Sequence, residues 1–190
     1  MSLLDARQSN PREGGPSFSL KHRLTRLAWG IVWGLLGRWT PVPLHAWRRF
    51  LLRCFGARIH ATAKVYPRVE VWYPQNLSMD AYSCIAGGVN CYCMAPISLG
   101  SYALVSQGAY LCAGTHDVDD PNFQLVTKPI LIGNNAWVAA EAFVGPGVTI
   151  GNGAVLGARA VTFKNLDDGV IYVGNPARSV RKREWIMGVK

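Results

Sequence analysis

His116 opens the segment THDVDDPNFQLVTKP, in which Asp117, Asp119, Asp120, Asn122 and Phe123 crowd within a few residues of one imidazole. An imidazole, with a reference pKa near ~6.5, is the side chain suited to taking a hydroxyl proton at neutral pH. A base of this kind needs its second ring nitrogen held by a partner that fixes the tautomer. Asp117, Asp119 or Asp120 could be that partner, and a backbone carbonyl would serve too; Asp119 stands among the candidate catalytic residues, and an adjacent residue on a strand points the opposite way, which counts weakly against Asp117. Asp119, Asp120, Asn122 and Gln124 also offer hydrogen bonds to hydroxyl groups, and Phe123 or Tyr110 offers a flat face for a sugar ring. Metal chemistry is not expected. Cys54, Cys84, Cys91, Cys93 and Cys112 are not spaced as CxxC pairs, and His60 lies far upstream of any of the later ones. They read as reduced small residues within or beside the fold's core.

The segment is flanked by a scaffold with a six-residue rule. Ile132, Val138, Val144, Ile150 and Leu156 recur every sixth position, and four places after each come Ala136, Ala142, Val148, Ala154 and Ala160. A period of 3.6 would smear the aliphatic residues around a helix, and a period of 2 alone would not restrict the small residue to every sixth place. Three six-residue sides closing a triangular coil explain both. One coil cannot bury its own inner face, so coils must stack, and the expected architecture is all-β: a parallel β-helix. The phase is visible again at Ile59, Val65 and Val71, slips by two residues before Met79, and slips once more around Pro96 before Leu99, Val105 and Leu111. The single long excursion is the loop 116–131. The domain reading is therefore an extended arm and helical cap over 1–58, the β-helix over 59–174, and a basic tail over 175–190.

Within 1–58, Leu24, Leu27, Ile31 and Leu35 recur at helical spacing after Ser19, the best N-cap, and Pro41 should stop that helix. Trp47, Phe50, Leu51 and Cys54 mark a second helix. Arginines and tryptophans flank both, the composition of an interfacial helix pair. Two compatible roles are expected: capping the open first coil, and contact of residues 20–55 with an anionic membrane. The net charge of +9 fits this placement, because residues 1–60 carry ten Arg or Lys against two acids, whereas residues 61–174 carry five against eight. A nucleic-acid binder would carry its basic surface on the folded core, so that class is excluded. The polar N-terminus and the absence of an apolar run of spanning length point to a cytoplasmic protein, at the inner face of the membrane if the helices touch it.

The segments SQGAYLCAGTHDVDDPNF, KPILIGNNAWVAAEAFVGPGVTIGNGAVLGARAV and VGNPAR resemble the hexapeptide-repeat acyltransferases, in the branch of colanic-acid-type polysaccharide O-acetyltransferases. The resemblance covers roughly residues 59–182. It implies a left-handed coil, a homotrimer, and acetyl-CoA as donor to a sugar or polysaccharide hydroxyl. On it, His116 matches the family's general base, working at the boundary between two subunits, and Asn90 stands as an upstream side-chain donor to the oxyanion. It further implies a pantetheine groove near Ala139, Ala140, Gly157 and Ala158, with the phosphates of coenzyme A met by Arg178, Arg181, Lys182 or Arg183 of the basic tail. A xenobiotic or small-alcohol O-acetyltransferase is the second reading within enzymes. A non-catalytic hexapeptide-repeat binding module is the reading outside them.

Overall fold

The computed structural model describes residues 3–184; the last part of the basic tail, 185–190, lies outside the described residues. Three sheets, of five, seven and five strands, wrap a single triangular core, and all pairings are parallel except the last of the seven-stranded sheet, where Val170–Val173 runs antiparallel to Arg178–Lys182. The first face stacks Ile59, Met79, Leu99, Ile132 and Ile150; the second stacks Val65, Ile85, Val105, Val138 and Leu156; the third stacks Val71, Cys91, Leu111, Val144 and Thr162. None of these is more than 6 % exposed. Each buried aliphatic side chain contributes about 1.5–3 kcal/mol, so the columns are the main source of cohesion. The companion positions Ala136, Ala142, Val148, Ala154 and Ala160 are also buried, filling the corners where two sides converge.

Register explains where irregularity is allowed. Ile132 pairs with Ile150, eighteen residues on, whereas Ile59 pairs with Met79, twenty residues on. Both two-residue slips, and the long excursion between Leu111 and Ile132, fall at the same corner, between the third face and the first. The corner between the first face and the second is constrained by close stacking. At Gly133 a Cβ would sit 2.7 Å from the backbone N of Asn152, and at Gly151 a Cβ would sit 2.6 Å from that of Asp168. This approach lets Asn134 accept from Ser101 N–H, Asn152 from Asn134 N–H, and Asp168 from Asn152 N–H, a ladder of side chains up the corner. Several corners turn through non-glycine residues in the left-handed region, including Tyr82 (φ 58°) and Tyr102 (φ 60°). That conformation is disfavoured for L-residues, and here the two rings stack with centroids 4.9 Å apart.

Ahead of the coils lie a one-turn helix α1 (Ala6–Ser9), a long helix α2 (Leu20–Val32) running into a π-helical turn (Trp33–Gly37), and α3 (His45–Cys54). Ser19 caps α2 as expected, accepting from His22 N–H at 3.4 Å. The first coil leaves a row of carbonyls with no strand to bond them, and the helices supply donors. Trp29 and Trp33 indoles donate to the carbonyls of Val71 and Val69 (2.6 and 2.8 Å). Arg48, Arg49 and Arg53 donate to those of Val65, Ala63 and Ile59 (2.7, 2.8 and 2.9 Å). Not one residue from 14 to 69 is acidic, so nothing competes with the carbonyls for these cations. The sequence left open which side of α2 docks: the face of His22, Trp29, Trp33 and Gly37 packs on the coil, and Leu24, Leu27, Ile31 and Leu35 face outward. Among the described residues, no helix is long and apolar enough to cross a membrane.

The guanidinium of Arg48 is fully buried without an acid, held by Val65 O, Thr40 Oγ1 and Pro41 O. Replacing it with Met strands those acceptors, and the expected loss is about 3 kcal/mol of unfolding free energy by chemical denaturation; a loss under about 1 kcal/mol would show that other donors satisfy the edge. Burial, followed by the charge of Arg26, holds His22 below its ordinary value of 6.5, and burial depresses His45 as well. A base whose folded pKa is lowered binds fewer protons folded than unfolded, so this stability is intact above the unfolded value and declines as pH falls below about 6.5. The denaturation midpoint should therefore drop between about pH 7.5 and 5.5, and His22→Phe should flatten part of that slope.

Candidate active site

The permissive corner carries the candidate base. Beyond Cys112 the chain leaves the third face as an antiparallel hairpin, Gly114–His116 against Leu125–Thr127, with His116 opposite Leu125. The excursion read from sequence as the loop 116–131 is thus partly regular and begins two residues earlier. Its acids shape the turn. Asp120 Oδ1 accepts from Asn122 N–H at 2.9 Å, which leads the causes holding the Asp120 carboxyl below its usual range; Phe123 (φ 54°) closes the turn back onto Asp120 O. Asp117 Oδ1 accepts from Asp119 N–H at 3.1 Å.

His116 is exposed, with Nδ1 2.8 Å from Phe123 O and its ring stacked on the Phe123 ring (centroids 4.4 Å, planes 11° apart). A carbonyl only accepts, so Nδ1 carries the proton and Nε2 keeps its lone pair free for a substrate. Of the partners the sequence leaves open, the structure supplies a backbone carbonyl, that of Phe123; the Asp119 carboxylate makes no hydrogen bond to the imidazole, and those of Asp117 and Asp120 accept from backbone N–H groups of the turn. The ring of Phe123 faces His116, so it is not the free sugar platform read from sequence. The arm locks the hairpin from outside. Gln124 Oε1 accepts from Ala6 N–H (2.7 Å), Gln124 Nε2 donates to Leu4 O (3.4 Å), and Phe18 packs with Met94 and Leu125.

Asn90 lies on the outer side of the third face, paired across the ladder with Tyr110. Both line a cleft of about 380 Å³ under α2, together with Arg26, Glu70, Trp72 and Tyr92. The sequence reading missed Arg26, Trp72 and Tyr92; the signal was an aromatic residue at successive outward positions of the repeat. Trp72, Tyr92, Tyr110, Phe143 and Phe163 form a column of neighbouring rings with centroid spacings of 5.6, 6.2, 5.5 and 5.6 Å.

A second groove, about 700 Å³, runs along the corner between the second and third faces. Ala139, Ala140, Gly157, Ala158 and Arg181 line it, with Trp137, Ser106, Gln107 and Arg183. Trp137 is fixed by an indole hydrogen bond to Ser106 Oγ (2.9 Å), and Arg183 reaches Asn135 O and Gly153 O. Gly157 is small for the fold's own sake, since a Cβ there would lie 2.9 Å from Val173 Cγ1. Arg178 and Lys182 are exposed on the final strand, pairing with Val173 and Val170, and do not line the groove. The groove and His116 occupy different corners of the prism. A side of six residues at about 3.3 Å each separates them by roughly 20 Å. No cluster of three or more His, Cys, Asp or Glu able to hold a metal occurs among the described residues.

The family described as "Bacterial transferase hexapeptide (six repeats)" matches residues 129–164. Among known proteins, the putative colanic acid biosynthesis acetyltransferase WcaF of Escherichia coli K12 is 41 % identical over 155 residues, 82 % of this chain and 85 % of that one. Two solved structures share the fold at a TM-score of 0.78. One is a maltose O-acetyltransferase from Clostridium difficile (21 % identity, 88 % of this chain and 90 % of that one). The other is a hexapeptide-repeat acetyltransferase from Vibrio cholerae in complex with acetyl coenzyme A (23 % identity, 90 % and 93 %). With the repeat, the hairpin and this identity together, the chain belongs to the hexapeptide-repeat acetyltransferases, in the same family as the colanic acid biosynthesis acetyltransferases.

Proposed function

We propose that the protein transfers an acetyl group from acetyl-CoA to a sugar hydroxyl in the making of a surface or exported polysaccharide, with His116 as general base. The observation that carries this reading is the contact of His116 Nδ1 with Phe123 O at 2.8 Å on an exposed residue, which makes Nε2 the lone-pair nitrogen whenever the imidazole is neutral. Bound acetyl-CoA supplies a thioester carbonyl to be attacked by the hydroxyl oxygen. Nε2 takes the hydroxyl proton as that oxygen attacks, and gives it up to the departing thiol. Asn90 and Tyr110 hold acceptor or reacting oxygen from the cleft. The small residues Ala139, Ala140, Gly157 and Ala158 leave room for an amide-rich arm, and Arg181 with Arg183 meets phosphate charge. In this reading Arg178 and Lys182 add only general positive potential.

Assembly follows from the separation of parts. Because His116 and the groove lie at different corners of one prism, a complete site needs the corner of a second copy; equivalent contacts close such an assembly into a ring, and the family resemblance makes that ring a homotrimer. The outward rings of Tyr110, Phe143 and Phe163 lie on the face between those corners, with Phe163 66 % exposed, and supply apolar contact. The exposed side of α2, beside Lys21 and Arg23, supports contact with an anionic membrane and a working position at its inner face. Arg48, Arg49 and Arg53 contribute nothing to such contact, being committed to coil carbonyls.

His116→Ala should keep the assembly and acetyl-CoA affinity and slow acetylation of saccharide acceptors by about 10²–10⁴-fold; a wild-type rate would remove His116 from the chemistry. A second test uses two inactive chains. His116→Ala mixed as refolded or co-expressed subunits with the groove-filling Ala140→Trp should recover up to about a quarter of the wild-type sites, since each site draws on two chains of a cyclic assembly. No recovery from mixed assemblies would mean that each chain carries its own complete site.

A further inference from the structure

Residues 3–18 add nothing to the columns of the prism, yet they fold into a closed loop. Its ends meet, with Leu3 bridged to Phe18 and Leu4 N–H donating to Ser17 O at 3.1 Å. Asp5 caps α1 by accepting from Arg7 N–H (2.9 Å), and a 3-10 turn, Pro11–Glu13, follows through Asn10 in the left-handed region (φ 44°). Gly15 seals the loop: its N–H reaches Asn10 O at 3.1 Å, and a Cβ there would overlap the carbonyl oxygen of Ser9. A compact loop with closed ends is a unit that can carry a task away from the core.

What the loop holds is the turn beside the base. Ala6, 1 % exposed, donates its N–H to Gln124 Oε1 (2.7 Å), and Gln124 Nε2 donates to Leu4 O (3.4 Å) and Leu125 O (3.0 Å). The guanidinium carbon of Arg12 lies 5.4 Å from the centroid of the Phe123 ring, the same ring on which His116 stacks. Phe18 packs with Leu125, the residue opposite His116 in the hairpin, and its ring stacks on that of His22 (centroids 4.6 Å) at the head of α2. The loop is thereby tied to the cap at one end and grips Phe123, Gln124 and Leu125 in turn.

The peptide between Phe123 and Gln124 is where this grip reaches the chemistry. Phe123 stands at φ 54°, a conformation disfavoured for L-residues and most of all for bulky ones. Its carbonyl is the partner of His116 Nδ1, and the carbonyl of Gln124 accepts from Asp117 N–H at 2.8 Å. Free to relax, Phe123 would return to negative φ and swing its carbonyl off the imidazole. A strained residue persists only where its surroundings over-determine it. Asp120 O fixes the near side by accepting from Phe123 N–H (2.8 Å), and the far side is fixed through the Gln124 amide, both ends of which are committed to main chain of the loop and the hairpin.

We propose that residues 3–18 position the general base: by anchoring Gln124 they hold Phe123 in its left-handed conformation, keep its carbonyl on Nδ1, and so keep the lone pair of His116 on Nε2. Gln124, Arg12 and Phe18 are positioning residues, acting through Phe123 and Leu125 and not on substrate. The inference rests on the reading of His116 as the base and adds what keeps that base in its competent tautomer.

The test compares two variants of the full-length protein: Gly15→Ala, which breaks the closure of the loop without altering any hairpin residue, and Gln124→Ala, which leaves the loop and removes its anchor. For each, kcat with the methyl glycosides of glucose, galactose and mannose in turn, KM for acetyl-CoA, and the tautomer of neutral His116 by ¹⁵N-histidine correlation spectroscopy are measured. Because a displacement of about 1 Å can cost about 10²-fold in rate, kcat should fall by about 10-fold or more in each variant. KM for acetyl-CoA should stay at its wild-type value, since the groove lies at another corner, and the Nε2–H form of His116 should appear. The double variant should be no slower than the slower single one, as expected when both changes act through one element. Wild-type kcat in both variants while His116→Ala is slow, an unchanged tautomer, or losses that multiply in the double variant would overturn the proposal. So would acetyl-CoA affinity lost in step with kcat and a thermal midpoint lowered by more than about 8 °C, which would reduce the loop to general support of the fold. The tautomer is read without an acceptor, so it decides the proposal even if none of the three glycosides is acetylated. A wild-type rate in His116→Ala would instead fail the base itself.

Discussion

The first coil ends in carbonyls that have no strand to receive them, and much of the chain's N-terminal third is arranged around that deficit. An open β edge is both unsatisfied and adhesive. Three arginines and two indoles answer it, reaching Ile59, Ala63, Val65, Val69 and Val71. Neutral donors alone would suffice for hydrogen bonding, but guanidinium groups make stronger bonds to carbonyls and cover apolar surface with their stems. The requirement explains why the cap is basic and free of acids without invoking any ligand. It also separates two populations of cations: those consumed by the edge, and those of α2 that remain turned outward.

Stacking in register sets the second constraint. The corner between the first and second faces is tied by close backbone approach and a ladder of Asn and Asp side chains, and the insertions collect at the corner between the third face and the first. The hairpin of His116 grows there because it is the place where extra chain does not disturb the columns. Its own rigidity then comes from three sources: the antiparallel pairing, the Asp120 turn, and the arm bonded to Gln124. A base on such a hairpin is oriented by main chain rather than by a carboxylate. The consequence is a neutral partner for Nδ1, which fixes the tautomer without adding a negative charge beside the imidazole.

Much of the scaffold was legible in the sequence because the repeat acts locally: each aliphatic residue announces its column, and even the two slips could be placed from Met79 and Leu99. The groove residues Ala139, Ala140, Gly157, Ala158 and Arg181 were named from the family resemblance and not from the period, and in the structure all five line one groove. What sequence could not show were contacts between distant segments. Helical spacing reveals that α2 has apolar faces but not that its tryptophans, and not its leucines, meet the coil. Acids next to a histidine suggest a carboxylate partner, whereas the competing demand of a tight turn takes those acids for backbone N–H groups. The bond between Ala6 and Gln124 joins segments more than a hundred residues apart, and no period records it. Arg178 and Lys182 illustrate a third limit, since strand alternation decides which cations of a basic run face a groove.

The account turns on which nitrogen of His116 is free. Selective ¹⁵N-histidine correlation spectroscopy of the full-length protein at about pH 8, with His116→Gln used to assign the resonances, reads the tautomer directly. The structure predicts a protonated Nδ1 and an unprotonated Nε2 for His116, the opposite of the tautomer usually favoured by free neutral imidazole. An Nε2–H tautomer, with Nδ1 unprotonated, would break the bond to Phe123 O and contradict the assignment of Nε2 as the base.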